Sequence, residues 1–266
     1  MGFSKHHIRF AVELLSGYSG QVPLAIFIKQ FFAGQKKFGS RDRREIASLC
    51  YQYFRLGKMA EAYTRAEKLL IAILLFHSRP QDLLADVKPE WAAASDLPFA
   101  DKVHLVFGKQ FQAEWHTSFY NLLQPQTGLQ AYVSSFFRQP DLFIRIRPTA
   151  SHLSEKITTV CPGALPTDCP GVFRLPNGTN TDNLGVLNRD FVIQDLSSSK
   201  TGTLIRESLP HLAGKLWDCC AASGGKTIML YDTFGKQLQY TVSDLRAGIL
   251  HNLRDRLSSA GIRHYS

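Results

Sequence analysis

The stretch Trp217-Asp218-Cys219-Cys220-Ala221-Ala222-Ser223-Gly224-Gly225-Lys226-Thr227 decides how this chain is read. A short hydrophobic strand, a loop of small residues and the start of a helix follow one another without a break. At Ala221-Ala222-Ser223-Gly224-Gly225 little side chain stands between the backbone and anything that approaches it. Glycine also permits the dihedrals of tight turns. The free N–H groups at a helix start add partial positive charge. Such a strand–turn–helix is where a doubly wound α/β sheet holds a nucleotide-like ligand. A P-loop is excluded, because its first glycine would fall at Cys220, and the dinucleotide pattern Gly-x-Gly-x-x-Gly is missing. An adenosine-type cofactor loop and a purely structural glycine turn both remain open on these residues.

Outward from the loop, the chain has the rhythm of a parallel sheet. Strands are predicted at 215–219 and 238–243, and helices at 224–234 and 247–260. Gly261 closes the second helix, and 262–266 starts a third strand. Asp244 follows the second strand, where an acid accepts hydrogen bonds from ribose hydroxyls. Upstream, 141–147 alternates apolar and basic side chains towards its end, which predicts a strand with one wet, basic face carrying Arg145 and Arg147. Turn-forming residues crowd 161–185, and 191–194 is a short strand leading into a helix through Leu209. Residues 1–124 are helical in pattern. Ser40 is expected to cap a helix running to about Leu56, with Ile46, Leu49, Cys50, Tyr53 and Phe54 on its buried face. Residues 66–76 are apolar nearly all round, and 102–123 form an amphipathic helix with a kink at Gly108, closed by Pro125.

The formal charge of +9 on 266 residues is unevenly placed. Residues 1–80 hold 13 Lys or Arg against 5 Asp or Glu, and the remainder is nearly balanced. A field of that sign attracts a polyanion, nucleic acid before others, although plain solubility explains it too. Lys36, Lys37, Arg41, Arg43 and Arg44 are the candidate RNA-backbone contacts, with Arg145 and Arg147 as an extension. The competing reading makes 41–44 an internal set of ion pairs with Asp42 and Glu45. Five cysteines without ligand-like spacing, two of them adjacent, argue against a metal site and for a reducing cytoplasm. The apolar run 69–76 is too short to cross a bilayer.

At these residues the chain resembles the Sun/Fmu–NOP family of S-adenosylmethionine-dependent RNA cytosine-5 methyltransferases, close to its ribosomal RNA members. The family's first motif, Leu-Asp-Leu-Cys-Ala-Ala-Pro-Gly-Gly-Lys-Thr, is matched by 217–227, with Trp217, Cys219 and Ser223 as departures. Gln194-Asp195-Leu196-Ser197-Ser198 resembles the segment before the cofactor domain, Val242-Ser243-Asp244 the end of the second strand, and Gly39-Ser40-Arg41-Asp42-Arg43-Arg44 part of a NusB-like helical domain. The resemblance implies a multidomain chain: a NusB-like all-α bundle at 1–125, a small α+β linker domain at 126–211, and the beginning of a Rossmann-like class I methyltransferase sheet at 212–266. It implies that Asp218, Cys219, Cys220, Ala221, Ala222, Ser223, Gly224, Gly225 and Lys226 line the S-adenosylmethionine site and that Asp244 holds the ribose. Lys226 reads equally as a solvated charge at a helix start, and Ser223 is small enough to cap that helix.

The family chemistry needs a thiolate that adds to cytosine C6, on a base taken out of its stack. In the family the nucleophile lies in a Thr-Cys motif and a helper in a Pro-Cys motif, both later than the loop. Neither motif occurs here, and no cysteine present matches either role. The expectation is therefore an N-terminal portion of such an enzyme, short by roughly 130 to 200 residues of a full domain. It would be monomeric and inactive alone, with weak or no cofactor binding and an unpaired edge on its first strand. A non-enzymatic RNA-binding module and another class I methyltransferase are the alternatives.

Overall fold

Apolar positions repeat at helical spacing through the first part of the chain and bring its helices together. The computed structural model describes residues 3–35, 37–76, 82–108 and 128–266. The chain divides into two compact units, Met1–Gln139 and Pro140–Ser266.

The first unit contains α1 (Phe3–Gly17), α2 (Leu24–Ala33), α3 (Ser40–Arg55), α4 (Arg65–Phe76), the short α5 (Asp82–Ala85) and α6 (Pro89–Ala93), α7 (Phe99–Phe107) and α8 (Leu129–Ser135). The central element is α4, buried at every position from Leu69 to Leu75. Its start is fixed by a reciprocal cap. Thr64 N–H donates to Glu67 Oε2 at 2.8 Å, and Glu67 N–H donates to Thr64 Oγ1 at 3.3 Å. One face of α4 packs with Phe10, Leu14, Ile46 and Leu49, and the other with Leu56, Met59 and Phe137.

Three expectations are corrected here. The cap of α3 comes from Asp42, whose Oδ2 accepts the Gly39 N–H at 3.2 Å, while Ser40 is the first helical residue. Phe54 is exposed at the rim of that helix, ring against ring with Tyr18 and Tyr53. The helix expected from 102 begins earlier, at Phe99, and at Gly108 the expected kink is a full break after Phe107, with φ 86°. Residues 109–123 and Pro125 lie outside the described residues, as does the expected 125/126 boundary.

The second unit is mixed α/β. An antiparallel sheet of order β2-β3-β1-β4 is made by β1 (Leu142–Ile146), β2 (Leu165–Pro166), β3 (Val172–Leu175) and β4 (Phe191–Ile193). With α9 (Leu153–Val160) it encloses Ile144, Ile146, Ile157, Leu175 and Phe191. After α10 (Leu196–Ser208) come β5 (Gly214–Asp218), α11 (Gly225–Phe234), β6 (Leu238–Val242) and α12 (Ala247–Ser259). β5 and β6 are parallel, with Asp218 opposite Val242. The chain then returns on the far side of β6, where Ser266 N–H donates to Tyr240 O at 3.0 Å and Val242 N–H to Ser266 O at 2.8 Å. Among the described residues β5 has a strand neighbour on one side only.

The two parts of this unit are bolted by charge, which overturns the expected wet face of β1. Arg145 and Arg147 are 8% and 4% exposed. Both bind Asp232 of α11. Arg145 Nη1 donates to Oδ2 at 2.6 Å, and Arg147 Nη2 and Nε donate to Oδ1 at 2.6 and 2.9 Å. Arg147 Nη1 also donates to the carbonyls of Asn188 and Ala260, at 3.0 and 2.8 Å. These side chains cannot be the solvent-facing RNA contacts the alternation suggested. The segments assigned to separate domains at 126–211 and 212–266 thus lie, from Pro140 onward, in one unit. Close packing of α10 on α11 needs Gly202, since a Cβ there would lie 2.5 Å from Met229 Sδ.

Candidate functional site

β5 delivers Asp218 to the base of the loop, where its Oδ2 accepts from Thr227 Oγ1 at 2.7 Å. That bond ties the strand end to the first turn of α11. The loop then reverses through two left-handed residues, Ala222 at φ 47° and Gly224 at φ 84°. Ala222 carries a side chain in that region, at a cost of about 1–2 kcal/mol. The neighbouring strand holds the turn in place. Ala221 N–H donates to Ser243 O, and Ser243 N–H to Asp218 O, both at 3.0 Å. Ala222 N–H donates to Asp244 Oδ2 at 3.0 Å.

Asp244 is therefore brought to the loop, as the sequence suggested, and its side chain is 8% exposed. It is not free. Arg246 grips it through Nε to Oδ1 at 3.0 Å and Nη2 to Oδ2 at 3.2 Å, and the Arg246 backbone N–H adds a third bond at 3.0 Å. These contacts, with the Ala222 N–H, hold the carboxyl down at about 2. The Arg246 side chain is itself 68% exposed and anchored to this one carboxylate.

Ser223 does not cap α11, contrary to expectation: Gly224 occupies the cap position. Ser223 Oγ instead accepts from Arg256 Nη1 at 2.5 Å, and Arg256 Nε donates to Asn188 Oδ1 at 3.0 Å. Burial lowers the Arg256 pKa. The first N–H bonded within α11 is that of Ile228, to Gly224 O at 2.9 Å. The N–H groups of residues 225–227 precede it at the helix start. Gly225 has nothing within 4 Å of where a Cβ would stand, so the space beside it is open. Lys226 is exposed.

Cys219 and Cys220 are both exposed on the loop. A hydrogen bond with Cys219, with repulsion from that sulfur and from Asp244 and Asp218, raises the Cys220 pKa, which disfavours the thiolate. The other three cysteines, Cys50, Cys161 and Cys169, are buried, and burial pushes Cys50 up to about 12. Among the described residues no group of three or more His, Cys, Asp or Glu is arranged to hold a metal.

Gln194 shows what its motif does. It is 7% exposed, accepts from Arg145 Nε at 3.0 Å, and directs Nε2 to Ser198 Oγ at 3.1 Å and Gly225 O at 3.4 Å. It braces the helix start from behind. Sequence reasoning missed Arg246, Arg256 and Asn188. Only the Asp-x-Arg spacing of 244–246 was a local signal. It also passed over Leu245, which is fully exposed beside Asp244; Trp217, named as a departure from the motif, is 68% exposed and donates Nε1–H to Ser243 Oγ at 3.0 Å.

On the helical unit, Lys37, Arg41 and Arg44 are exposed, and Lys37 Nζ sits 4.4 Å from the Phe10 ring centroid. Arg43 is partly committed, with Nε donating to Phe38 O at 3.0 Å. Asp42 does not pair internally with these arginines: it bonds His7 Nε2 at 3.0 Å, which lowers its pKa. Lys36 lies outside the described residues.

No protein-family model matches this chain, and no curated protein matches it. Among solved structures, the crystal structure of PH0851 superposes with a TM-score of 0.57 at 15% identity, covering 100% of this chain and 69% of that one. That likeness concerns the fold alone. No helix among the described residues is long and apolar enough to cross a membrane.

Proposed function

We propose that this chain belongs to the lineage of S-adenosylmethionine-dependent RNA cytosine-5 methyltransferases and that loop 218–227 holds the cofactor. One observation carries the reading. The carboxylate at the end of β6 reaches across to the backbone of the small-residue turn after β5, so ribose acceptor and turn form one site. The residues fit the group. The open side of Gly225 admits it, the N–H groups at the start of α11 suit the methionine carboxylate, and Asp244 suits the ribose diol. Leu245 offers an apolar surface for an aromatic base. Bound S-adenosylmethionine supplies an electrophilic methyl group on its sulfonium.

Arg246 has to give up part of its grip on Asp244 for the ribose to bind, and its exposure allows this. Covalent attack on a cytosine needs a reactive thiolate. Three cysteines are buried, Cys220 is shifted away from ionisation and Cys219 lies within the proposed cofactor loop, so the chain by itself is proposed to bind cofactor and RNA without transferring the methyl group. Lys37, Arg41 and Arg44 are the proposed RNA contacts, and the NusB-like description of the helical unit belongs to the same proposal.

Calorimetric titration with S-adenosylhomocysteine tests the cofactor site. Saturable binding that Asp244→Ala weakens by about tenfold or more is expected, from loss of a charged hydrogen-bond acceptor. Binding indifferent to Asp244→Ala removes the cofactor assignment. RNA binding that persists with no cofactor binding at all favours the non-enzymatic RNA-binding module.

A further inference from the structure

Behind the loop, on the other side of Gln194 and Met229, lies a cavity of about 220 Å³. Its walls are the end of β1, the 169–170 turn, one face of α10 and the C-terminal half of α11. That size is below the roughly 300–1,000 Å³ of pockets for drug-sized ligands. Four residues of α10 at helical spacing, Ser199, Gly202, Thr203 and Arg206, line it together with Arg145 and Asp232.

Two residues of this lining each carry a buried polar atom with no hydrogen-bond partner among the described residues, Arg145 Nη2 and Ser199 Oγ. The Arg145 side chain is 10% exposed and Ser199 is 3% exposed, so bulk water does not satisfy them. A buried donor left unmade costs about 1–3 kcal/mol, more when it is charged. The charge is also uneven. Asp232 is shared by Arg145 and Arg147, which leaves the buried cluster one positive charge in excess. Arg147 spreads its remaining donors over backbone carbonyls, whereas Arg145 has only Gln194 besides the carboxylate. Arg206, an exposed residue, lines the mouth of the same cavity with no ion pair among the described residues. Uncompensated buried charge calls for an anion rather than an apolar group.

We propose that this cavity is a binding site for a small oxyanion of the phosphate class, free or as the terminal phosphate of a phosphomonoester. Arg206 meets the anion at the exposed mouth, and Arg145 Nη2 and Ser199 Oγ, which have almost no accessible surface at rest, turn to donate to it from the floor. The guanidinium fork suits two oxygens of such a group. The proposal is independent of the cofactor reading, because none of its donors lies on loop 218–227.

The test is titration of the full chain with inorganic phosphate and, separately, ribose 5-phosphate, at constant ionic strength set with chloride, followed by calorimetry and by unfolding midpoint. Saturable binding is expected, weakened about tenfold by Arg206→Gln and about fivefold by Ser199→Ala, and, for inorganic phosphate, which carries no ribose for Asp244 to hold, unchanged by Asp244→Ala. Tighter binding of ribose 5-phosphate with the same losses identifies a phosphomonoester as the source, and tighter inorganic phosphate identifies the free ion. Near-UV circular dichroism without ligand checks that both variants keep the native fold. Absence of saturable binding by either probe, or equal affinity in wild type and both folded variants, overturns the site and leaves the cavity to water.

Discussion

Arg41 and Arg44 of the helical unit end in solvent, whereas Arg145 and Arg147 of the α/β unit are buried against a single carboxylate, Asp232. In the helical unit the core clusters are apolar and aromatic, and cations such as Lys37 rest on the rim, over rings such as Phe10, with Lys102 a buried exception. In the α/β unit charge takes part in holding the core together. The same residue type serves as a surface in one place and as a fastener in the other. What decides is whether an acid arrives from far along the chain: Asp232 stands 87 residues from Arg145.

The sharpest way to break this contrast is Asp232→Asn. It leaves two buried guanidinium groups without their counter-charge, and a loss of about 3–5 kcal/mol is expected. Urea unfolding with hydrogen exchange read separately for β1 and α4 measures it. The loss should be confined to the α/β unit. A change below about 1 kcal/mol would show that the buried cluster is not what fastens that unit.

Next in size is Arg256→Met. It removes the donors to Ser223 Oγ and Asn188 Oδ1 from a half-buried position, for an expected loss of about 1–2 kcal/mol. Slower thermal inactivation than wild type would contradict it. A similar loss, about 1–2 kcal/mol, is expected for Gly224→Ala, since φ is +84° and the new Cβ would stand 3.4 Å from Leu257 Cδ2. Gly225→Ala is the control. Its Cβ meets nothing, so the unfolding midpoint should hold while access for a ligand falls.

The pH response sharpens the comparison at the loop. The Asp244 carboxyl is depressed from its ordinary 3.8 to about 2, so its contribution is complete above 3.8 and is lost as pH falls through about 2. The Ala222 amide proton resonance should hold its position down to about pH 3 and move around pH 2. Movement centred at or above 4 would mean that Arg246 does not hold the carboxylate.

How much of this was legible in the sequence depends on range. The order strand, loop, helix, strand, helix from 214 to 259 was readable within one or two residues at each end, because periodicity and glycine placement are local signals. Asp244 stood out for the same reason, as the acid after the second strand, whereas Gln194 stood out only through the resemblance of its motif to a known family. The fate of Arg145 and Arg147 was not legible. An alternating apolar–basic strand looks the same whether its basic face meets water or a distant Asp232, and only packing distinguishes the two. Arg256 holding Ser223 is a second case, a contact across 33 residues with no local pattern. The cap of α3 failed differently: Ser40 was read as the cap, and the carboxylate of Asp42 in the first turn reaches back to the Gly39 N–H instead.

The smallest expected effect on stability, and the finest test of the contrast, is neutralisation of Lys37, Arg41 and Arg44 to Gln. All three are exposed, so the unfolding midpoint should stay where it is. Their effect should appear only towards a polyanion. If they contact single-stranded RNA backbone, each neutralised phosphate contributes about 0.7 to the slope of log affinity against log salt, so the triple variant should lose about 2 from that slope. Filter binding of a short RNA between 50 and 200 mM salt, values at which such slopes are well separated, reads it directly. Arg43→Gln should lose less, because Arg43 already spends its Nε on Phe38 O. An unchanged slope in the triple variant would mean that these cations serve solubility alone, and the difference between the two units would then be one of burial without a difference of function.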